Sequence, residues 1–335
     1  MVKLDFHTVR ILSIFFWTLG AGSSVAAASG FLNLNSESSM VSPQSTNGTV
    51  ELLLSTESWN TQKHQPFWEF DLTASQISSP TNYAATPIAI NKVQRYILPF
   101  NTTLNGTSSA LEVDWLSGNG WQVGGEITYS FQSGVGTPNT SSILGSLILG
   151  HHIEYHRSQD PEDFQPSWDW KFVGTAGNIT ADSFSVISSL NQTPPYGTTT
   201  QNTVGATALR QSALSMEFSW SPAFWLSTSV GYVQFAYDSD PNILAPAKSP
   251  KRGTPTSLEA FEDSGSLTFH LTDSWDFETR VAYNVAATVD QTPSDTETYS
   301  LTYFGSLVDL GVGYEHQNSS ATPLDSGVGN LRIHF

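Results

Sequence analysis

Leu111-Glu112-Val113-Asp114-Trp115-Leu116-Ser117-Gly118-Asn119-Gly120-Trp121-Gln122-Val123-Gly124-Gly125-Glu126-Ile127-Thr128-Tyr129-Ser130-Phe131-Gln132 is the stretch whose reading decides the fold. Before the polar break at 117–120, Leu111, Val113 and Trp115 alternate with Glu112 and Asp114. After it, Trp121, Val123, Ile127, Tyr129 and Phe131 alternate with Gln122, Gly124, Glu126, Thr128, Ser130 and Gln132. Side chains of a strand leave on opposite faces with period two. Residues 111–132 therefore read as a hairpin with one apolar face and one polar face.

The same alternation recurs along the chain. Leu214, Met216, Phe218 and Trp220 lead into a turn at 221–223, and Phe224, Leu226, Val230 and Tyr232 lead out. Leu267, Phe269 and Leu271 enter a turn at 272–276, followed by Phe277, Val281, Tyr283 and Val285. Three features separate a membrane barrel from a soluble sandwich. Several strands run longer than the ~5–6 residues usual in globular proteins and reach the ~9–11 that a tilted bilayer-crossing strand needs. Tight connections near 221–223, 272–276 and 304–306 alternate with long polar ones at 191–205, 238–263, 288–297 and 317–326. Aromatic residues gather at strand ends, as Trp115 with Trp121, Trp168 with Trp170, and Trp220 with Trp225, where an interfacial girdle would lie.

Composition narrows the function. The chain has 335 residues, no cysteine, 13 Lys and Arg against 30 Asp and Glu, and a formal net charge of −17. Lack of cysteine excludes disulfide scaffolds, Cys-ligated metals and thiol catalysis. The acidic balance excludes a basic face for nucleic acid. Only 13% of residues are charged, about half the usual share in soluble domains, as expected when half of each strand faces lipid. At the start, Lys3 and Arg10, an apolar run from Ile11 and the small residues Ala26-Ala27-Ala28 have the layout of a cleaved signal peptide over 1–28. Residues 29–65 are rich in Ser, Asn and Thr and read as a polar arm or a plug, with the barrel over 66–335.

The chain ends Gly329-Asn330-Leu331-Arg332-Ile333-His334-Phe335. Leu331, Ile333 and Phe335 at every second position, closing on Phe, resemble the assembly signal of Gram-negative bacterial outer-membrane β-barrels. The nearest look within that superfamily is to broad families of outer-membrane transporters. The resemblance implies an all-β, closed antiparallel transmembrane β-barrel in the outer membrane. It also implies contact with the barrel-assembly machinery, outer-membrane lipid and lipopolysaccharide. Counting back from Phe335 gives twelve strands, at 327–335, 306–316, 298–304, 276–288, 264–272, 224–237, 206–220, 183–190, 168–173, 143–157, 121–132 and 110–116. Two candidates further upstream, at 68–74 and 90–98, make fourteen the alternative.

Charged groups on strands are expected on the lumen side, because Lys or Arg facing lipid costs about 2–4 kcal/mol at the midplane. Beside Glu69 and Asp71, the expected lining is Glu112, Asp114, Glu126, His152, Glu154, His156, Asp169, Lys171, Glu217, Glu278, Arg280, Asp309 and Arg332. Carboxylates dominate it, so a water-filled lumen favours cations. The expected function is a porin-like or transporter-like channel for small solutes. The alternatives are a non-conducting structural barrel and a barrel hydrolase. For the last, His152, Glu154 and His156 share the polar face of one strand and could ligate a metal. His156-x-Ser158 also resembles the Ser–His pair of outer-membrane phospholipases, but no Asn stands nearby to orient the His. A polar lumen strand accounts for these residues better, so no catalytic residue, metal or cofactor is expected. The basic run Lys248-Ser249-Pro250-Lys251-Arg252 offers groups to lipopolysaccharide phosphates, although a solvated loop tip is the commoner reason for such a cluster.

Overall fold

The computed structural model describes residues 29–39, 46–55, 66–83, 86–90, 93–98, 100–117, 119–135, 137–151, 166–191, 194–195, 197–238, 259–286, 293–318 and 324–334. The expected signal peptide, His152, Glu154, His156, Ser158, the basic run at 248–252 and Phe335 lie outside the described residues. All regular structure among the described residues is β. The strands are β1 (Ser29–Ser39), β2 (Thr46–Ser55), β3 (Phe67–Tyr83), β4 (Thr86–Ile90), β5 (Val93–Ile97), β6 (Phe100–Leu116), β7 (Trp121–Ser133), β8 (Thr140–His151) and β9 (Ser167–Ala181). They continue with β10 (Phe184–Ser189), β11 (Thr200–Val204), β12 (Thr207–Ala223), β13 (Leu226–Tyr237), β14 (Glu259–Thr272), β15 (Trp275–Ala286), β16 (Ser294–Tyr303), β17 (Val308–Asn318) and β18 (Leu324–His334). No helix among the described residues is long and apolar enough to cross a membrane.

Fourteen strands close an antiparallel barrel in the order β1-β18-β17-β16-β15-β14-β13-β12-β9-β8-β7-β6-β3-β2. The alternative count holds, and the twelve-strand count does not. Of the two upstream candidates, 68–74 lies in barrel strand β3, whereas 90–98 falls on β4 and β5 outside the barrel, and two further differences complete the count. The polar arm or plug expected over 29–65 gives way at 29–39 and 46–55 to strands β1 and β2, which join β18 to β3. Asn33, Asn35 and Glu51 occupy the face opposite Leu32 and Leu34, where Asn33 Nδ2 donates to Glu51 Oε2 at 2.8 Å and Asn35 accepts from Asn330 Nδ2. Secondly, the strand expected at 183–190 leaves the barrel. β9 and β12 pair without interruption from Ala181 opposite Thr207 to Ser167 opposite Ser221, so nothing fits between them.

Strands β10 and β11 instead form a small sheet with β4 and β5, in the order β11-β10-β5-β4. The small sheet therefore joins two excursions, one between β3 and β6 and one between β9 and β12. Ser188 stands opposite Ile97, and Leu98 N–H donates to Ile187 O at 3.0 Å.

Because β1 pairs antiparallel with β18, both ends of the barrel lie on one rim, called here the terminal rim. The connections at 117–120, 224–225, 273–274 and 304–307 are short and lie on that rim. The excursions carrying the small sheet and the connection from β13 to β14 lie on the far rim. The turn expected at 221–223 sits at 224–225, because β12 continues through Pro222 with a register shift between Trp220 and Ala223. Such an irregularity accommodates a residue with no N–H for the ladder.

The outer surface is apolar and unpacked. Leu147 is 77% exposed, Val312 67% and Ile127 64%. At the terminal rim, Trp121 packs edge-on against Trp170 at 5.7 Å between ring centroids, and His151 stacks on Trp168 at 6.0 Å. Toward the far rim, Tyr232, Phe261 and Tyr283 form a second band. From Trp121 to Phe131 the rise is ~33 Å along the strand, or ~25 Å along the axis at a ~40° tilt. That matches the ~25 Å apolar band of a membrane barrel.

Candidate functional site: an inward carboxylate cluster

The face opposite the exposed apolar side chains points inward, and fourteen strands make that interior wide. A spacing of ~4.8 Å between strands and a ~40° tilt give roughly 28 Å between opposite backbones. Inner side chains cannot meet across that gap, so each must find partners on its own stretch of wall or meet water.

Register brings part of the expected lining together near the terminal rim. Asp71 stands opposite Glu112, and Glu112 opposite Glu126, so three carboxylates form a row across β3, β6 and β7. In the row nearer the rim, Glu69 stands opposite Asp114. Directly opposed like charges destabilise a sheet, and several groups offset this. Lys171 Nζ, from β9, reaches Glu112 Oε1 at 3.2 Å. Gln122 Nε2 donates to Asp114 Oδ2 at 2.6 Å, and Thr73 Oγ1 to Asp71 Oδ1 at 3.3 Å. Thr128 Oγ1 donates to Glu126. A cavity of about 290 Å³ opens between these groups, lined by Leu53, Glu69, Asp71, Glu112, Asp114, Leu116, Gln122 and Lys171. Asp169 is on the same face of β9 as Lys171, and Glu217 of β12 stands opposite Lys171.

The remaining described candidates stand elsewhere on the wall. Glu278 and Arg280 alternate on β15, opposite Thr268 and Ser266. Asp309 faces Arg332 between β17 and β18. Asp309 accepts from Gly305 N–H at 3.1 Å and pairs with His334 Nε2 at 2.8 Å, while the Arg332 guanidinium lies 4.4 Å from the centre of the Phe31 ring.

One inner cluster escaped the sequence reading. Ser227 Oγ lies 2.9 Å from His270 Nε2, and His270 Nδ1 lies 2.9 Å from Asp276 Oδ1. The tight turn at 273–274 places His270 opposite Asp276, which counting back from that turn would have found. The order hydroxyl, imidazole, carboxylate is that of a serine relay. Acyl transfer also needs donors aimed at a developing oxyanion. β13 is paired on both edges, so its N–H groups are committed to ladders. Ser227 also shares a hydrogen bond with Ser221 at 3.1 Å, and the cluster reads as the polar lock of a hairpin end.

No protein-family model matches the chain, and no curated protein matches it in sequence. Among solved structures it is similar to the CymD monoaromatic hydrocarbon channel, with 10% identity and a TM-score of 0.49 over 92% of this chain and 87% of that one. It is similar to the Pseudomonas putida toluene transporter TodX, with 9% identity and a TM-score of 0.45 over 95% and 91%. It is also similar to the KdgM porin, with 10% identity and a TM-score of 0.33 over 91% and 99%.

Proposed function

We propose that the chain is a bacterial outer-membrane channel that passes small solutes and prefers cations. The observation that carries this reading is a wide closed barrel with an exposed apolar exterior and an inner face on which carboxylates outnumber Lys and Arg. The apolar band belongs in lipid. Glu112, Asp114, Glu126, Asp169, Lys171, Glu217, Glu278, Arg280, Asp309 and Arg332 belong to the inner wall, and charged walls of one sign concentrate the opposite ion. The chain is exported by the segment 1–28, and the barrel-assembly machinery reads Leu331, Ile333 and Phe335. Lipopolysaccharide meets the outer leaflet side of the barrel. Transport needs no cofactor, and the protein is not an enzyme. Planar-bilayer recording of the purified chain tests this: stepwise conductance above that of lipid alone is expected. Leakage no greater than that of empty bilayers contradicts it and favours a non-conducting barrel.

A further inference from the structure

Register lines up inward residues of neighbouring barrel strands in one uncharged row. Asn330 of β18 stands opposite Asn35 of β1, Asn35 opposite Thr49, and Thr49 opposite Ser75. Ser75 stands opposite Ser108, Ser108 opposite Ser130, and Ser130 opposite Ser142. Every member is half-buried and carries a hydroxyl or an amide, which both donates and accepts. Charge returns in the inward rows on either side, with Arg332 and Glu51 in one and Glu37 in the other. At a spacing of ~4.8 Å and a ~40° tilt, such a row climbs the wall by ~3 Å per strand. Asn330 is accordingly four positions from the terminal-rim end of β18, and Ser130 nine positions from that of β7. The row is a polar ramp that rises along the inside of the barrel.

We propose that this ramp guides neutral polyhydroxylated solutes, short oligosaccharides foremost. The proposal rests on the reading of the barrel as a channel and names a solute class for it. Ser75 Oγ lies 2.7 Å from Ser108 Oγ, and Ser130 Oγ lies 2.7 Å from Ser142 Oγ. In each pair one hydroxyl donates to the other, and the acceptor keeps its own hydrogen for a solute. Neighbouring strands are ~4.8 Å apart, close to the length of one sugar ring. Successive units of a saccharide therefore meet equivalent partners and exchange them step by step. Ile77, inward and 43% exposed, and Ala110 flank the row on β3 and β6, and they offer apolar ground to the C–H faces of sugar rings. Two other solute classes fit less well. Among the described residues, inward aromatic rings of the barrel strands stand near strand ends, Phe31 and Phe67 at the terminal rim and Phe235 and Tyr237 toward the far rim. A hydrocarbon finds no aromatic path between them. Acidic saccharides meet the carboxylates gathered around Glu112, which repel them.

Swelling of proteoliposomes that carry the full chain tests the proposal, with maltotriose, a polyethylene glycol oligomer of matched size and trigalacturonate as solutes. Maltotriose entry is expected to saturate with concentration and to outpace both other solutes. Replacing Ser108 and Ser130 together by Ala is expected to raise the half-saturating maltotriose concentration about threefold or more. The variant is compared only if it keeps the heat-modifiable gel migration of a closed barrel. Should it not fold, the contrast among solutes on the unmodified chain decides. Glycol or trigalacturonate entry as fast as that of maltotriose, maltotriose entry that never saturates, or an unchanged half-saturation in the folded variant overturns the proposal. Potassium chloride conductance of the same chain separates the two readings. Conductance without a preference for maltotriose overturns the ramp alone, whereas absence of both conductance and swelling contradicts the channel itself and the ramp with it.

Discussion

Gly124 shows how closely the acidic cluster is built. A Cβ at this position would fall 1.6 Å from Asp114 Oδ1 and 2.8 Å from Val113 O, so both a functional side chain and the neighbouring backbone occupy the space. Gly174 has nothing within 4 Å of its Cβ direction. Gly124→Ala is therefore expected to lower stability by about 1–3 kcal/mol. Gly174→Ala is expected to stay within about 0.5 kcal/mol. Urea unfolding of the two variants in lipid vesicles checks the contrast, and equal midpoints contradict it. At this scale the sequence was partly legible. Parity alone assigned Glu112, Asp114 and Glu126 to one face. The opposition of Glu112 to Asp71 and of Asp114 to Glu69 was hidden, because the excursion at 84–99 separates β3 from β6 and leaves their register unreadable. Ser227 was hidden from His270 for the same reason, since the connection at 238–258 divides their strands.

Strands and connections carry different signals. The turn at 304–307 and the closing strand β18 meet at Asp309, which is buried, accepts from Gly305 N–H and pairs with His334. Asp309→Ala leaves that N–H and imidazole without their carboxylate, and a loss of about 1–3 kcal/mol is expected, read from the same urea midpoints. No change there contradicts a supporting role for Asp309. The seam between β1 and β18 is held by Asn330 Nδ2, which donates to Asn33 Oδ1 at 2.8 Å and also to Asn35. These residues show why β1 was read as an arm. Its outer face offers Leu32 and Leu34 and then Ser36 and Ser38, so the apolar half of the alternation fades after two positions. The small sheet misled the count in the other direction. Phe184–Ser189 has strand composition but lies in an excursion, and composition does not say which sheet a strand joins. The barrel ladder from β9 to β12 closes without β10 and β11. Replacing 184–204 by a short Gly/Ser linker is thus expected to leave heat-modifiable migration intact. Loss of the fast-migrating unboiled form would show that the barrel needs the small sheet to close.

For the whole molecule, sorting residues by face gives the net charge of −17 a place. An apolar exterior admits few charges, so acidic groups are confined to connections and to the inner wall. On that wall Glu112 stands opposite both Asp71 and Glu126, and Asp114 opposite Glu69, so carboxylates are gathered there. A wide interior lined this way concentrates cations and repels anions, and the effect weakens as salt screens it. The direct test of a cation-preferring barrel is the reversal potential of single channels in a planar bilayer under a tenfold potassium chloride gradient. A reversal displaced toward the potassium equilibrium potential is expected, moving toward zero when Glu112, Asp114 and Glu126 are replaced together by Gln, Asn and Gln. A reversal at zero or displaced toward the chloride potential in the unmodified chain contradicts the account.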